Sequence, residues 1–163
     1  MRRSQASVKK ILGGKKAKAK GDIFELILQS QSKRDKISFV KIPSGCAWRR
    51  TQFGVKPIPV ATPFDFMCGK TGRAIFFDAK QMGNDRFNYS LIKQHQVRKL
   101  LELEQQNFCA GYVIYFDTVD RIEFFTATQL IAVKRRESLK VGEGLLLGSV
   151  QNFSLLPLFN LGA

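Results

Sequence analysis

Residues 63–80 constrain the fold most. They read Pro-Phe-Asp-Phe-Met-Cys-Gly-Lys-Thr-Gly-Arg-Ala-Ile-Phe-Phe-Asp-Ala-Lys. Two apolar runs flank a Gly-Lys-Thr-Gly segment, the pattern of a β-hairpin. With Thr71-Gly72 as a two-residue turn, Lys70 faces Arg73, Met67 faces Phe76, Phe66 faces Phe77 and Asp65 faces Asp78. Side chains alternate between the two sides of a strand. Asp65, Asp78 and Lys80 are therefore predicted on one face, and Phe64, Phe66, Ile75, Phe77 and Ala79 on the other, a core face. The first face carries two carboxylates whose side-chain roots lie about 5 Å apart.

Like charges directly across a ladder repel, so the pairing calls for a compensating cation. Two hard oxygen ligands beside an open position suit magnesium. Lys80, two residues beyond Asp78, is placed to steady an attacking water or a developing phosphate charge. The plainer alternative ends one strand in solvent and leaves Lys80 as a surface lysine. The glycine turn, the matched register and the basic composition favour the site.

That composition is 27 basic against 13 acidic residues, a formal net charge of +14. Such an excess calls for a polyanionic partner. Nucleic acid fits better than membrane, because no apolar run approaches the length of a spanning helix. Cys46, Cys68 and Cys109 are odd in number and far apart, which indicates neither a zinc site nor a disulfide framework. Cys68 and Cys109 read as small buried core residues. A reducing cytosol suits this cysteine usage, and no apolar leader is present, so the expected location is cytoplasmic.

The other segments are assigned around the hairpin. Residues 1–20 carry eight basic residues and no acid; such a block is predicted to be a flexible arm, with Arg2, Arg3, Lys15, Lys16, Lys18 and Lys20 following phosphates. Residues 21–163 form one domain by length. A short helix is expected over 21–31, where Ile23, Phe24, Ile27 and Leu28 keep helical spacing, and Asp22 suits its positive end. Residues 37–42 suit a strand. Residues 32–62 read as an irregular basic insertion, broken by Pro43, Gly45, Gly54, Pro57 and Pro59. Trp48 and Phe53 are interleaved there with Arg49, Arg50 and Lys56, and long irregular insertions are usually functional. Trp48 is either a projecting group or an anchor of the loop to the core.

Beyond the hairpin comes a polar loop with Arg86, then a helix over about 90–107 capped by Ser90 and stopped by Gly111. Two aromatic strands follow, 112–116 and 121–125. Thr128 is read as the cap of a short helix through 133. Lys134, Arg135, Arg136 and Lys140 make a second basic cluster. The glycine-rich segment 141–163 suits an edge strand or a dimer contact.

Pro63-Phe-Asp65 followed by Asp78-Ala-Lys80 resembles the PD-(D/E)xK nuclease superfamily. The run from Gly72 to Lys80, then Arg86-Phe87, Ile92 and His95-Gln96, is similar to RecU-type Holliday junction resolvases over about residues 21–130. The resemblance implies a restriction-endonuclease-like α/β fold, a central mixed sheet flanked by helices. It implies a structure-selective endonuclease that resolves four-way junctions with Mg²⁺, or Mn²⁺ in its place, and leaves 5′-phosphate ends. Asp65, Asp78 and the Ala79 carbonyl would hold the ion, with Glu25 from the first helix. Lys80 would stand near the attacking water and Gln96 near the scissile phosphate, with His95 supporting Gln96 or touching the DNA backbone. The insertion would be a stalk entering the junction, where Trp48 and Phe53 stack on unpaired bases. A homodimer is implied, since paired nicks need two sites. Many relatives have glutamate where Asp78 stands, so the shorter arm shifts the metal spacing. Two other readings remain: a related nuclease acting on another DNA structure, and a non-catalytic basic nucleic-acid-binding protein.

Overall fold

The computed structural model describes residues 5–43, 45–60 and 62–161. Helix α1 spans Gln5–Arg34. It is followed by strand β1 (Ser38–Lys41), the pair β2 (Gly45–Thr51) and β3 (Gly54–Val60), and the hairpin β4 (Phe66–Lys70) and β5 (Arg73–Met82). Next come β6 (Arg86–Asn88), a 3₁₀ turn (Tyr89–Leu91), α2 (Gln94–Glu104), β7 (Cys109–Phe116) and β8 (Arg121–Thr126). The chain continues through α3 (Ala127–Ala132), β9 (Ser138–Lys140), β10 (Leu145–Ser149) and β11 (Asn152–Phe153) to a 3₁₀ turn at Leu156–Asn160.

Seven strands form one sheet in the order β1-β4-β5-β7-β8-β10-β11. The β5–β7 pair is parallel and the other neighbours are antiparallel. Only the parallel pair needs a long crossover, and α2 lies within it. The mixed α/β layer expected from the sequence is therefore present. Its central hairpin keeps the predicted register, with Lys70 opposite Arg73, Met67 opposite Phe76 and Phe66 opposite Phe77. Thr71 and Gly72 both take positive φ, 48° and 77°, as a tight hairpin turn requires.

The sheet has a core on each face. Phe24 and Leu28 of α1 pack with Phe66, Cys68, Ile75, Phe77 and Phe124 on one side. Val97 and Leu100 of α2 and Leu130 of α3 pack with Tyr112, Ile114 and Phe125 on the other. Each fully buried large apolar side chain contributes about 1.5–3 kcal/mol relative to exposure. Phe64 joins the second core, edge-on to Phe76 at 5.1 Å, not the Phe66 face as expected. It precedes the first ladder pair, so the strand alternation does not reach it.

Several predicted boundaries move. The helix expected at 21–31 is the end of α1, and residues 5–20, expected as a flexible arm, have helical backbone. Gly13-Gly14 lie inside it; glycine costs about 1 kcal/mol in a helix without forbidding one. Ile23 faces solvent. Ser90 lies in the 3₁₀ turn, and α2 starts after Lys93, which makes no side-chain cap. Thr126, not Thr128, caps α3, in a reciprocal capping box with Gln129, an arrangement worth about 1 kcal/mol. The tail supplies β10 and, at the edge of the sheet, β11. It is clasped to the end of α1, where Asp35 Oδ2 accepts from Ser154 Oγ at 2.9 Å and Leu155 N at 2.8 Å.

Gly111 does not stop a helix; it sits within β7. A Cβ there would lie 2.0 Å from the Phe125 carbonyl oxygen and 2.9 Å from the Phe124 ring. Gly111→Ala is expected to destabilise by about 3 kcal/mol or more, read as a lowered urea midpoint. An unchanged midpoint would contradict the close β7–β8 approach.

Residues 45–60 are the largest departure from expectation. They form a regular two-stranded ribbon outside the main sheet. Gln52-Phe53 make its turn, closed by the Thr51–Gly54 pair. Thr51 Oγ1 donates to the Gly54 carbonyl at 2.8 Å. Pro57 and Pro59 pair with Trp48 and Cys46. These pairs alternate with the hydrogen-bonded ones, so their missing N–H groups fall on the outer edge, where proline is tolerated. Trp48 is 72% exposed and Phe53 79%. Trp48 therefore projects from the ribbon and does not anchor it to the core.

Candidate active site

The site grows from the open end of the β4–β5 hairpin. Asp65 immediately precedes β4, and its carbonyl accepts from Ile42 N at 2.8 Å, tying it to the end of β1. Thr62 Oγ1 donates to Asp65 Oδ1 at 3.2 Å. Asp78, on β5, is fully buried. Lys80 donates to Asp78 Oδ2; Ala79 lies between them. Asp78 Oδ1 has no hydrogen-bond partner.

Burial alone pushes the Asp78 carboxyl up, and the neighbouring Asp65 adds to it; together they raise it to about 7 against the pull of Lys80. Burial acts the same way on Asp65 but is outweighed. The Asp78 carboxyl, the Lys80 charge, the Thr62 hydroxyl and Lys93 hold Asp65 below the usual carboxylate range. The two groups titrate as a pair, in which Asp78 keeps its proton to the higher pH.

The rest of the site comes from the α2 face. Tyr112 lies opposite Asp78 in the parallel β5–β7 register and is fully buried. Its ring centroid is 5.4 Å from Lys80 Nζ, a cation–π contact. Its hydroxyl donates to Gln96 Oε1 at 3.4 Å. Burial, then the Asp78 charge, holds the phenol above its ordinary value. Tyr112 thus touches both Lys80 and Gln96, and Gln96 is only 2% exposed. Tyr112→Phe keeps the ring and loses the hydroxyl, so it is expected to lower kcat about 3–10-fold with KM little changed. Tyr112→Leu also frees Lys80 and should cost more. Equal effects of the two would remove the ring from this role.

Glu25 does not join the two aspartates. It pairs with Lys41 of β1, and no cluster of three His, Cys, Asp or Glu side chains suited to a metal occurs among the described residues. Lys41 is held above its ordinary value first by that hydrogen bond, against its own burial, and then by the charges of Glu25, Asp22 and Asp65. Its ammonium thus stands between helix and strand carboxylates. His95 is exposed on α2. Trp48, Arg49 and Arg50 are exposed on the ribbon, Arg86 on β6, and Lys134, Arg135 and Arg136 in the turn before β9. Arg2 and Arg3 lie outside the described residues, as do the side chains of Lys15, Lys16, Lys18 and Lys20.

Sequence reasoning missed Thr62, Lys41, Lys93 and Tyr112. The Thr-x-x-Asp spacing carried a local signal for Thr62. The other three depend on pairings across the fold.

The donor set fits a hard divalent cation. Two carboxylates converge, one buried oxygen lacks any partner, and magnesium takes one or two carboxylates together with water and phosphate oxygens.

The family model described as Recombination protein U, RecU, matches residues 59–143. That is just over half the chain. The chain belongs to the RecU family. The match contains Asp65, Asp78, Lys80, Gln96, Tyr112 and the 134–136 cluster, and leaves out Glu25 and Trp48. Among solved structures the chain is similar to Archaeoglobus fulgidus Hjc, a Holliday junction resolvase from an archaeal hyperthermophile. The identity is 13%, the match covers 77% of this chain and 95% of that one, and the TM-score is 0.55. At that identity the likeness is one of fold. No curated protein matches the chain.

Proposed function

We propose that this RecU-family chain is a divalent-metal-dependent endonuclease that resolves four-way DNA junctions. It acts as a homodimer on DNA in the cytosol and leaves 5′-phosphate and 3′-hydroxyl ends. The observation that carries the reading is the interacting Asp65 and Asp78 carboxyls, with one buried Asp78 oxygen left without a partner and Lys80 adjacent. Family membership and the resolvase-like fold support the substrate.

Asp65 and Asp78 would hold the ion, Mg²⁺ or Mn²⁺, with the Ala79 carbonyl beside them. When bound, it supplies positive charge to the phosphate and acidity to water. Asp78 must give up its proton to serve as a ligand, and Lys80 is then free of its role as sole counter-charge. Lys80, steadied on the Tyr112 ring, neutralises charge developing at the phosphate. Gln96, fixed by the Tyr112 hydroxyl, offers its amide to the reacting strand. Glu25 serves the site only after leaving Lys41. A twofold dimer places two such sites on one junction. The basic surfaces grip phosphates with salt-sensitive affinity.

The test is cleavage of a labelled four-way junction beside linear duplex of matching sequence, with Mg²⁺ or EDTA, for wild type and Asp78→Ala. Paired symmetric nicks confined to the junction, lost with EDTA or the substitution, support the reading. Metal-dependent cutting of both DNAs alike keeps the nuclease and removes the junction selectivity. Binding without cutting points to a non-catalytic nucleic-acid-binding protein.

A further inference from the structure

A cleft of about 540 Å³ opens between the 3₁₀ turn that leads into α2 and the turn that precedes β9. Asn88, Tyr89 and Ser90 form one wall, and Arg135, Arg136 and Glu137 the other. The second wall is a closed four-residue turn. Glu137 N donates to the Lys134 carbonyl at 3.0 Å, and Lys134 N donates to Glu137 Oε2 at 3.0 Å. The one carboxylate in the cleft is thereby occupied by its own backbone. Arg136 takes φ +76°, a conformation that non-glycine residues adopt at a cost of about 1–3 kcal/mol and that concentrates at functional sites. Neither Arg135 nor Arg136 forms an ion pair among the described residues, although acidic groups elsewhere on the surface do find partners.

The positive surface continues along the small β6–β9 ribbon. Arg86 lies directly opposite Lys140, and Asn88 opposite Ser138. Phe87 and Leu139 point inward to the core, so the four polar side chains share the outer face. Arg86 also reaches the Asp85 carboxylate at 3.7 Å, so this face is partly neutralised and keeps Lys140 beside it as a second cation for a passing phosphate. The two walls are tied together, because Tyr89 N donates to the Glu137 carbonyl at 3.1 Å. Ser90 is three residues from Lys93, at most about 10 Å of chain. Lys93 is close enough to Asp65 to act on its carboxyl.

We propose that this cleft is a subsite for one backbone phosphate of the strand being cut, held by Arg135 and Arg136 on the approach to the scissile phosphate. Arginine suits the task because its planar fork binds phosphate oxygens in pairs. Tyr89 and Ser90 supply hydroxyls from the opposite wall, and Arg86 and Lys140 take the phosphates beyond. The subsite rests on the nuclease reading above and specifies how the strand is held in register: a phosphate fixed here sets which bond reaches Asp65 and Asp78.

The experiment is a scan of four-way junctions, each carrying one neutral methylphosphonate linkage at a successive position around the branch. Wild type and the Arg135→Gln/Arg136→Gln double variant are compared, by binding in Ca²⁺ and by cleavage in Mg²⁺. Wild type should lose about 10-fold in binding at one position or two adjacent ones, near the cut. The variant should bind the all-phosphate junction about 10-fold more weakly, become indifferent to those positions within 2-fold, and spread its cuts over neighbouring bonds. Thermal melting checks that it is folded. A variant that keeps the wild-type interference pattern overturns the subsite, as does a wild-type scan without any sensitive position. If wild type binds but never cuts, the nuclease reading fails while the binding scan still decides the subsite.

Discussion

Asp78→Asn is expected to abolish cleavage and, in the same protein, to make the metal-free chain more stable at pH 8. Loss of one of two ion-holding carboxylates should cost kcat at least about 10³-fold, the upper range for removing a group that stabilises transition-state charge. Stability moves the other way because Asp78 is fully buried beside Asp65. Its carboxyl is raised to about 7 in the fold. Below the ordinary carboxylate range, near pH 4, both folded and unfolded chains hold the proton. Between there and about pH 7 only the unfolded chain releases it, so stability falls as pH rises. Above pH 7 the loss is complete. The full shift corresponds to roughly 4 kcal/mol; water entry and relaxation reduce this to about 1–2 kcal/mol, or about 3–6 °C for a chain of this size. Asp65 works in the opposite sense: its lowered carboxyl contributes stability at neutral pH that is lost on acidification. Melting curves of wild type and variant at pH 5 and pH 8 in EDTA check this. The variant should gain at pH 8 and little at pH 5. A variant that melts lower than wild type at pH 8 would mean that the Lys80 pairing outweighs burial of the charge.

Trp48→Ala/Phe53→Ala should weaken junction binding by about 100-fold while leaving linear duplex binding within about 3-fold. Base stacking on an aromatic side chain contributes about 1–3 kcal/mol per base. Both rings stand in solvent on a ribbon outside the main sheet, so the substitutions remove no core packing. The melting temperature should hold within about 2 °C. Equal loss on both DNAs would make the ribbon a general DNA contact instead of a reader of branching. A large fall in melting temperature would place the rings against the body of the protein.

What the sequence disclosed followed the range of each interaction. The β4–β5 hairpin was legible because its turn residues, alternation and register are local, and Asp65 and Asp78 stand near each other just beyond its Phe66–Phe77 pair. Cys68 and Cys109 proved to be buried core thiols for an equally local reason. The Glu25–Lys41 pair was not legible, since it joins a helix to a strand whose alignment depends on the whole sheet. Tyr112 was hidden more deeply. Its place beside Lys80 and Gln96 requires the parallel β5–β7 register, which the crossover sets. The ribbon was misread for a different reason: proline argues against a strand with neighbours on both sides, and this pair has none beyond its own partner.

That last feature bears on self-association. An isolated ribbon exposes two rows of backbone groups, each a template on which another molecule can add a strand. Aromatic side chains in the open would strengthen such growth. Along β3, Pro57 and Pro59 remove two of the three outward donors and leave Val55, and Arg49, Arg50 and Lys56 give both strands the same sign of charge. A neighbouring ribbon finds the β3 edge poor in donors and, on either strand, no opposite charge to dock on. The exposed rings are thereby protected from fibril-like stacking, and an anionic ligand is the surface they are free to meet.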